Sequence, residues 1–271
     1  MSICRTIALQ DACGETISHA LYLPAGGQPP FPTVILSHGF GGCYDPITAP
    51  YARYLSQQGF AALAFNFRVE GKQDMLNTSV LTEAATLHAV IEQVKALPEV
   101  DPSRLYLMGE SQGGFVSAHV ASERNDVQGL VLLYPAFVLQ YDAWHRHPEV
   151  GGAAFDPVWF DPGSLDLSKI TAPRDVIEAL GIEVSTICSV DALRFNIYRE
   201  MRAFPRPVLI VHGSADPVVP LSYSERAVDP KTGFPHAQLI TIPGAGHGFQ
   251  GAAWDMAARE SAAFLRELIE R

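Results

Sequence analysis

Apolar positions along the chain follow two rhythms that take turns. "TVILSHG" (33–39), "FAALAFNF" (60–67), "RLYLMGE" (104–110), "GLVLLYP" (129–135) and "PVLIVHG" (207–213) are short, nearly continuous apolar runs. Such runs suit parallel strands covered on both faces. "ISHALYLP" (17–24) instead alternates apolar and polar residues, as a strand with one open face does. Between the runs the spacing becomes helical. Val80, Ala84, Leu87, Ile91 and Val94 share one stripe, and Pro98 stands just past Leu97, where such a helix stops. Trp254, Ala257, Ser261, Phe264 and Leu268 form a second stripe near the C-terminus.

Strand, helix, strand, repeated, predicts an α/β fold with a parallel sheet covered by helices on both faces. The two earliest segments, near 3–10 and 17–23, are close enough to pair as an antiparallel hairpin at the sheet's start. From Ala136 to Phe204 the rhythm breaks. No strand pattern stands out there, and Gly151, Gly152, Pro157, Pro162, Gly163 and Pro173 interrupt the chain. A structureless loop of that length is improbable in a compact domain, so the stretch reads as an inserted subdomain of short helices. The reading divides the chain into a core, 1–135 and 205–271, and a cap, 136–204, at the carboxyl ends of the strands, where α/β proteins place substrate-facing material.

Composition narrows the partners. Hydrophobic residues make up 48% of the chain, enough for a sizeable core, and the formal net charge is −10. That charge, with no basic run, argues against a nucleic-acid partner. The N-terminal "MSICRTIALQDACGE" has no apolar core of signal-peptide length, and no stretch approaches the roughly 20 apolar residues of a membrane span. Cys4, Cys13, Cys43 and Cys188 are scattered, without metal-ligand spacing. They are expected to be free thiols in a cytoplasmic protein, although an even number leaves disulfides formally open. No metal or organic cofactor is expected.

The chemistry centres on "MGESQGGF" (108–115). Ser111 sits at G-x-S-x-G spacing between a strand-like run and the helix-compatible "QGGFVSAHVAS". That is the setting of a nucleophile raised on a sharp strand-to-helix turn, where side chains at Gly109 and Gly113 would crowd the adjoining strand and helix. By itself the pentapeptide arises by chance in many proteins. His247, flanked by glycines in "IPGAGHGF", is the candidate base. Asp216 in "VHGSADPVVP" is the candidate acid to hold the base's tautomer. The order Ser111, Asp216, His247 favours this acid over Asp161 and Asp191, which lie in the inserted stretch. His38 and His212 each lead straight into a backbone turn and are poorer bases. Two backbone donors for an oxyanion are expected at Phe40, in the glycine-rich "LSHGFGGCYD", and at Gln112. That loop is not a dinucleotide fingerprint: Gly39 and Gly41 fit, but Tyr44 fills the third glycine's place.

Taken together, "HGFGG", "GESQGG", "HGSADPVVP" and "GAGHGF", in this order and over nearly the whole chain, resemble the α/β-hydrolase family. Within it, the G-x-S-Q-G-G pattern, the "HGF" loop and the insertion are most similar to bacterial cinnamoyl (feruloyl) esterases. The resemblance implies a mostly parallel eight-stranded sheet with helices on both faces and an inserted helical cap. It further implies a serine carboxylesterase acting on small esters such as hydroxycinnamate esters. One departure stands beside the nucleophile: Glu110 occupies a place where the resembling esterases tend to have histidine. Its side chain is expected to point away from the hydroxyl and to alter pH dependence. His38, Tyr134, Phe137, Tyr141, Trp144, Trp159 and Phe160 are the candidate substrate contacts. Singly each aromatic residue fits a small core, and as a group they fit a flat aromatic acyl pocket. A thioesterase or peptidase-like hydrolase, or a binding protein on an inactive scaffold, stays open as an alternative. The expected partner is a small-molecule ester, with neither nucleic acid nor membrane, and a homodimer is compatible with the chain.

Overall fold

The computed structural model describes residues 2–67, 77–150, 155–170, 176–179 and 182–270. The interruptions at Gly151, Gly152 and Pro173 lie outside them. In chain order the first half runs β1 (Ser2–Arg5), β2 (His19–Pro24), β3 (Phe31–Ser37), α1 (Tyr44–Ile47), α2 (Ala49–Gln57), β4 (Ala61–Phe65), α3 (Val80–Lys95), β5 (Val100–Glu110), α4 (Ser111–Ser122) and β6 (Val127–Leu133). Then follow α5 (Leu139–Arg146), β7 (Val176–Ala179), β8 (Ile182–Ser185), α6 (Ile187–Ala192) and α7 (Ile197–Met201). The chain closes with β9 (Val208–Gly213), α8 (Ser222–Ala227), β10 (Ala237–Ile242) and α9 (Ala252–Glu270).

Eight strands form one sheet in the order β1-β2-β4-β3-β5-β6-β9-β10. The five continuous apolar runs are its centre, paired in parallel. β1 pairs antiparallel on β2, as the closeness of the two segments predicts, and β2 also pairs antiparallel on β4. Side-chain alternation along β5 splits the core into two layers. Leu105 and Leu107 belong to the layer that holds Leu87 and Ile91 of α3, whereas Tyr106 and Met108 belong to the layer built on α2 and α9. Continuing that alternation turns Glu110 toward α2 and α9, away from α3. The α3 stripe is buried along its length, and a Ser79–Thr82 capping box starts the helix.

The stretch between β6 and β9 differs from expectation. It holds helices, but also a two-stranded antiparallel sheet, β7 on β8. "VIEA" and "IEVS" are only four residues each, too short to stand out from helix-compatible sequence. Polar side chains fasten this stretch to itself and to the core. Gln140 Nε2 donates to the carbonyls of Ala192 and Phe195, and the Tyr198 hydroxyl donates to the Tyr223 carbonyl at 2.7 Å. His119 on α4 pairs with Glu200 on α7 at 2.9 Å and stacks on Phe195.

Candidate active site

The turn from β5 into α4 places Ser111 at φ +49°, a left-handed backbone that a residue with a Cβ rarely adopts. The neighbouring glycines permit it. A Cβ at Gly109 would lie 2.3 Å from the Gly113 carbonyl oxygen, and one at Gly113 would lie 2.3 Å from the His38 carbonyl oxygen. Strand and helix therefore meet backbone to backbone, which lifts Ser111 above the sheet.

His247 lies on the loop between β10 and α9. Its Nε2 is 3.0 Å from Ser111 Oγ, and its Nδ1 is 2.8 Å from Asp216 Oδ2. A carboxylate cannot donate, so Nδ1 carries the proton and Nε2 is left to accept from the serine. Burial works to raise the Asp216 carboxyl, but bonds from His212, His247 and the Val218 and Val219 amides outweigh it and hold the group well below the usual carboxylate range. Asp216 is therefore ionised at neutral pH.

His212, the poorer base by its place in the sequence, takes a supporting position instead. It is fully buried, with Nδ1 2.7 Å from Ser224 Oγ and Nε2 3.0 Å from the Val219 carbonyl. The same Nε2 lies 3.3 Å from Asp216 Oδ2. The signal in the sequence is a histidine four residues before the acid. It is hard to read because a strand-ending histidine is ordinarily structural.

Around the hydroxyl, a Cβ at Gly39 would stand 3.2 Å from Ser111 Cβ, so the Gly39–Phe40 turn runs alongside the nucleophile. His38 supports this turn. It is buried, its Nδ1 lies 2.8 Å from the Gly39 carbonyl, and its Nε2 accepts from the Phe67 amide at 3.3 Å. The Gln112 side chain is also buried and donates to Glu83 at 2.8 Å.

The candidate substrate contacts scatter. Phe137 and Trp144 are packed in the main core, and Tyr134 is buried with its hydroxyl donating to Glu110 Oε2 at 2.5 Å. Tyr141 is partly open and stands near Tyr223 and Phe155, Phe160 is half-buried, and Trp159 is 65% exposed beneath the Arg202 guanidinium. Tyr134 holds φ +37° and its ring packs 4.7 Å from the His247 ring and 4.7 Å from that of Phe249. Nothing in a tyrosine's sequence context announces a left-handed backbone. Among the described residues no group of three or more His, Cys, Asp or Glu is placed to hold a metal ion.

Burial pushes the Glu110 carboxyl up to about 7, against the lowering effect of the Tyr134 hydroxyl. Between its ordinary value and about 7 the folded protein keeps a proton that the unfolded chain has lost. Stability must then fall as pH rises through that window. Glu110→Gln is expected to flatten this decline, read as urea midpoints at about pH 5 and about pH 7.5. An unchanged slope sinks the assignment.

A family model described as serine aminopeptidase, S33, matches residues 28–251. A dihydrolipoyllysine-residue acetyltransferase component of the acetoin cleaving system of Pseudomonas putida is 24% identical over 257 residues, covering 89% of this chain and 64% of that protein. Esterase EstD of Thermotoga maritima is 32% identical over 117 residues, 40% of this chain and 28% of its own length. The chain thus spans less than two thirds of either relative. Est1E from Butyrivibrio proteoclasticus, solved with ferulic acid bound, superposes with a TM-score of 0.76 at 23% identity, covering 100% of both chains. At that identity the likeness speaks for the fold.

Proposed function

We propose, for a chain that belongs to the serine aminopeptidase S33 family of α/β-hydrolases, that it is a serine carboxylesterase working through an acyl-enzyme. The observation that carries the reading is a serine on a left-handed turn, 3.0 Å from an imidazole whose other nitrogen is held at 2.8 Å by an ionised carboxylate. His247 Nε2 takes the Ser111 proton as Oγ adds to the ester carbonyl. The Phe40 and Gln112 amides face the oxyanion. Collapse expels the alcohol, which takes the proton from His247. Water then adds to the acyl-serine with the same base, and the acid leaves as Ser111 regains its proton. Asp216 offsets the imidazolium charge in both halves.

The acyl preference we propose is a small aromatic acid of the hydroxycinnamate kind, with residues 136–204 as a cap over it. Two observations support it: the likeness to Est1E, and the partly open Tyr141–Phe155–Tyr223 group at the insertion's edge. Purified protein is expected to cleave p-nitrophenyl acetate and to cleave methyl ferulate with saturation. Cleavage of the first alone removes the acyl assignment, and cleavage of neither removes the esterase reading. The family description favours one second reading, an aminopeptidase. Release of nitroaniline from amino-acid p-nitroanilides, faster than ester cleavage, selects it.

A further inference from the structure

The proposed reaction leaves Glu110 without a task. Its residue is 6% exposed, Oε2 accepts from Tyr134, and Oε1 has no hydrogen-bond partner among the described residues. The buried Tyr51 hydroxyl also lacks one among the described residues. A buried carboxyl oxygen left unpaired is costly, so it points to something that pairs with it.

Both groups line one cleft of about 560 Å³ between α2 and the loop that carries His247 into α9. Glu110, Tyr51, Tyr134 and Phe249 are its buried floor, and Trp254 and Asp255 stand at its more open edge. The Tyr51 and Trp254 rings meet at 5.0 Å, which makes a continuous aromatic wall. Among the described residues that line it, two carry a carboxyl group and none is a lysine or arginine. The first turns of α2 and α9 border the cleft, and their partial positive charge attracts carboxylates. Asp255, in the first turn of α9, offsets that helix's field.

We propose that this cleft binds a small organic ammonium ion, with Glu110 as its counter-ion and the Tyr51 and Trp254 rings as its walls. The chemistry fits at each contact. A primary ammonium has three donors and no acceptor, and both Glu110 Oε1 and the Tyr51 hydroxyl oxygen accept. Aromatic faces attract cations, more so where water is excluded. A neutral alcohol can donate one hydrogen bond but brings no charge.

The site also carries a pH signature. Lining the cleft with Glu110 are Tyr134 from the end of β6, Tyr51 from α2 and Asp255 from α9, and the His247 ring packs 4.7 Å from that of Tyr134. Burial holds both tyrosines above their ordinary range, so they stay neutral. An ammonium beside Glu110 favours the carboxylate and expels its proton. Affinity must therefore rise from about pH 6 to about pH 8, and the rise must vanish when residue 110 cannot ionise.

The test uses the full chain with Ser111→Ala, so that binding is read without turnover. Benzylamine and its neutral counterpart benzyl alcohol are titrated by calorimetry at those two pH values. The amine is expected to bind at least about tenfold more tightly than the alcohol at the higher pH, and more weakly at the lower. Adding Glu110→Gln is expected to lower amine affinity by about tenfold or more and to abolish the pH dependence. If that variant does not fold, the pH dependence in the Ser111→Ala protein decides. Equal affinities, or amine binding that does not change with pH, overturn the site. Wild-type protein phosphonylated at Ser111 separates two sources of the same group. Retained amine binding supports a free amine as occupant, and lost binding supports an amine carried by the ester's alcohol. Because the readout is binding, failure to hydrolyse any ester leaves this result standing.

Discussion

Ser111→Ala is expected to lower turnover of a short nitrophenyl ester to about a thousandth of wild type or less, with the melting temperature little changed. Both halves of that expectation come from the local geometry. Alanine carries the same Cβ as serine, so the left-handed turn at φ +49° is no more strained after the change. The lost hydroxyl strands no buried donor, because its partner on His247 is an acceptor nitrogen on a side chain 21% exposed, which water can reach. What disappears is the covalent route. In the mechanism we propose, the amides of Phe40 and Gln112 remain and still polarise a carbonyl toward water, which accounts for a small residual rate. Turnover and thermal melts on the same preparation check it. A folded variant that keeps more than about a hundredth of wild-type activity points to a different nucleophile.

Much of the framework was legible because its signals are long or redundant. Five buried runs specify five central strands, and the glycine pairs around residue 111 specify a turn that few other residues allow. Bringing Ser111, Asp216 and His247 together needed only their order once the parallel sheet was in place, since each follows a strand at the same edge. The aromatic residues were a weaker guide. Phe137 and Trp144 pack inside the core, and a large apolar residue reads the same whether it faces a ligand or a neighbouring helix. In the sequence Tyr134 and Glu110 are separate features. They meet only because β5 and β6 run side by side and because Tyr134 takes an unusual backbone. Sequence spacing holds no record of such a contact. The small β7–β8 sheet escapes notice for a related reason, since a four-residue strand carries too little pattern to rise above its surroundings.

The largest effect on stability is expected at Gly113. Glycine to alanine inside a helix ordinarily gains about 1 kcal/mol, because alanine is the better helix former. Here the sign reverses. A Cβ at 113 would lie 2.3 Å from the His38 carbonyl oxygen and 2.5 Å from that of Ser37. These are backbone atoms at the end of a central strand, so no side-chain rotation relieves the overlap. The neighbouring strand is just as close, since a Cβ placed at Gly109 of β5 would meet the Gly113 carbonyl at 2.3 Å. Helix α4 must shift away from β3, at an expected cost of about 3 kcal/mol or more. The shift also moves Ser111 and the Gln112 amide, at the start of α4, relative to the Gly39–Phe40 turn, so activity should fall before the protein unfolds. Gly26→Ala is the control. Among the described residues, its chain neighbours aside, no atom lies within 4 Å of its Cβ position, and the change is expected to stay within about 0.5 kcal/mol. Urea midpoints at equal m-values compare the two. If both variants unfold at the same urea concentration, strand and helix are not in backbone contact at residue 113, and that contact is what holds the serine above the sheet.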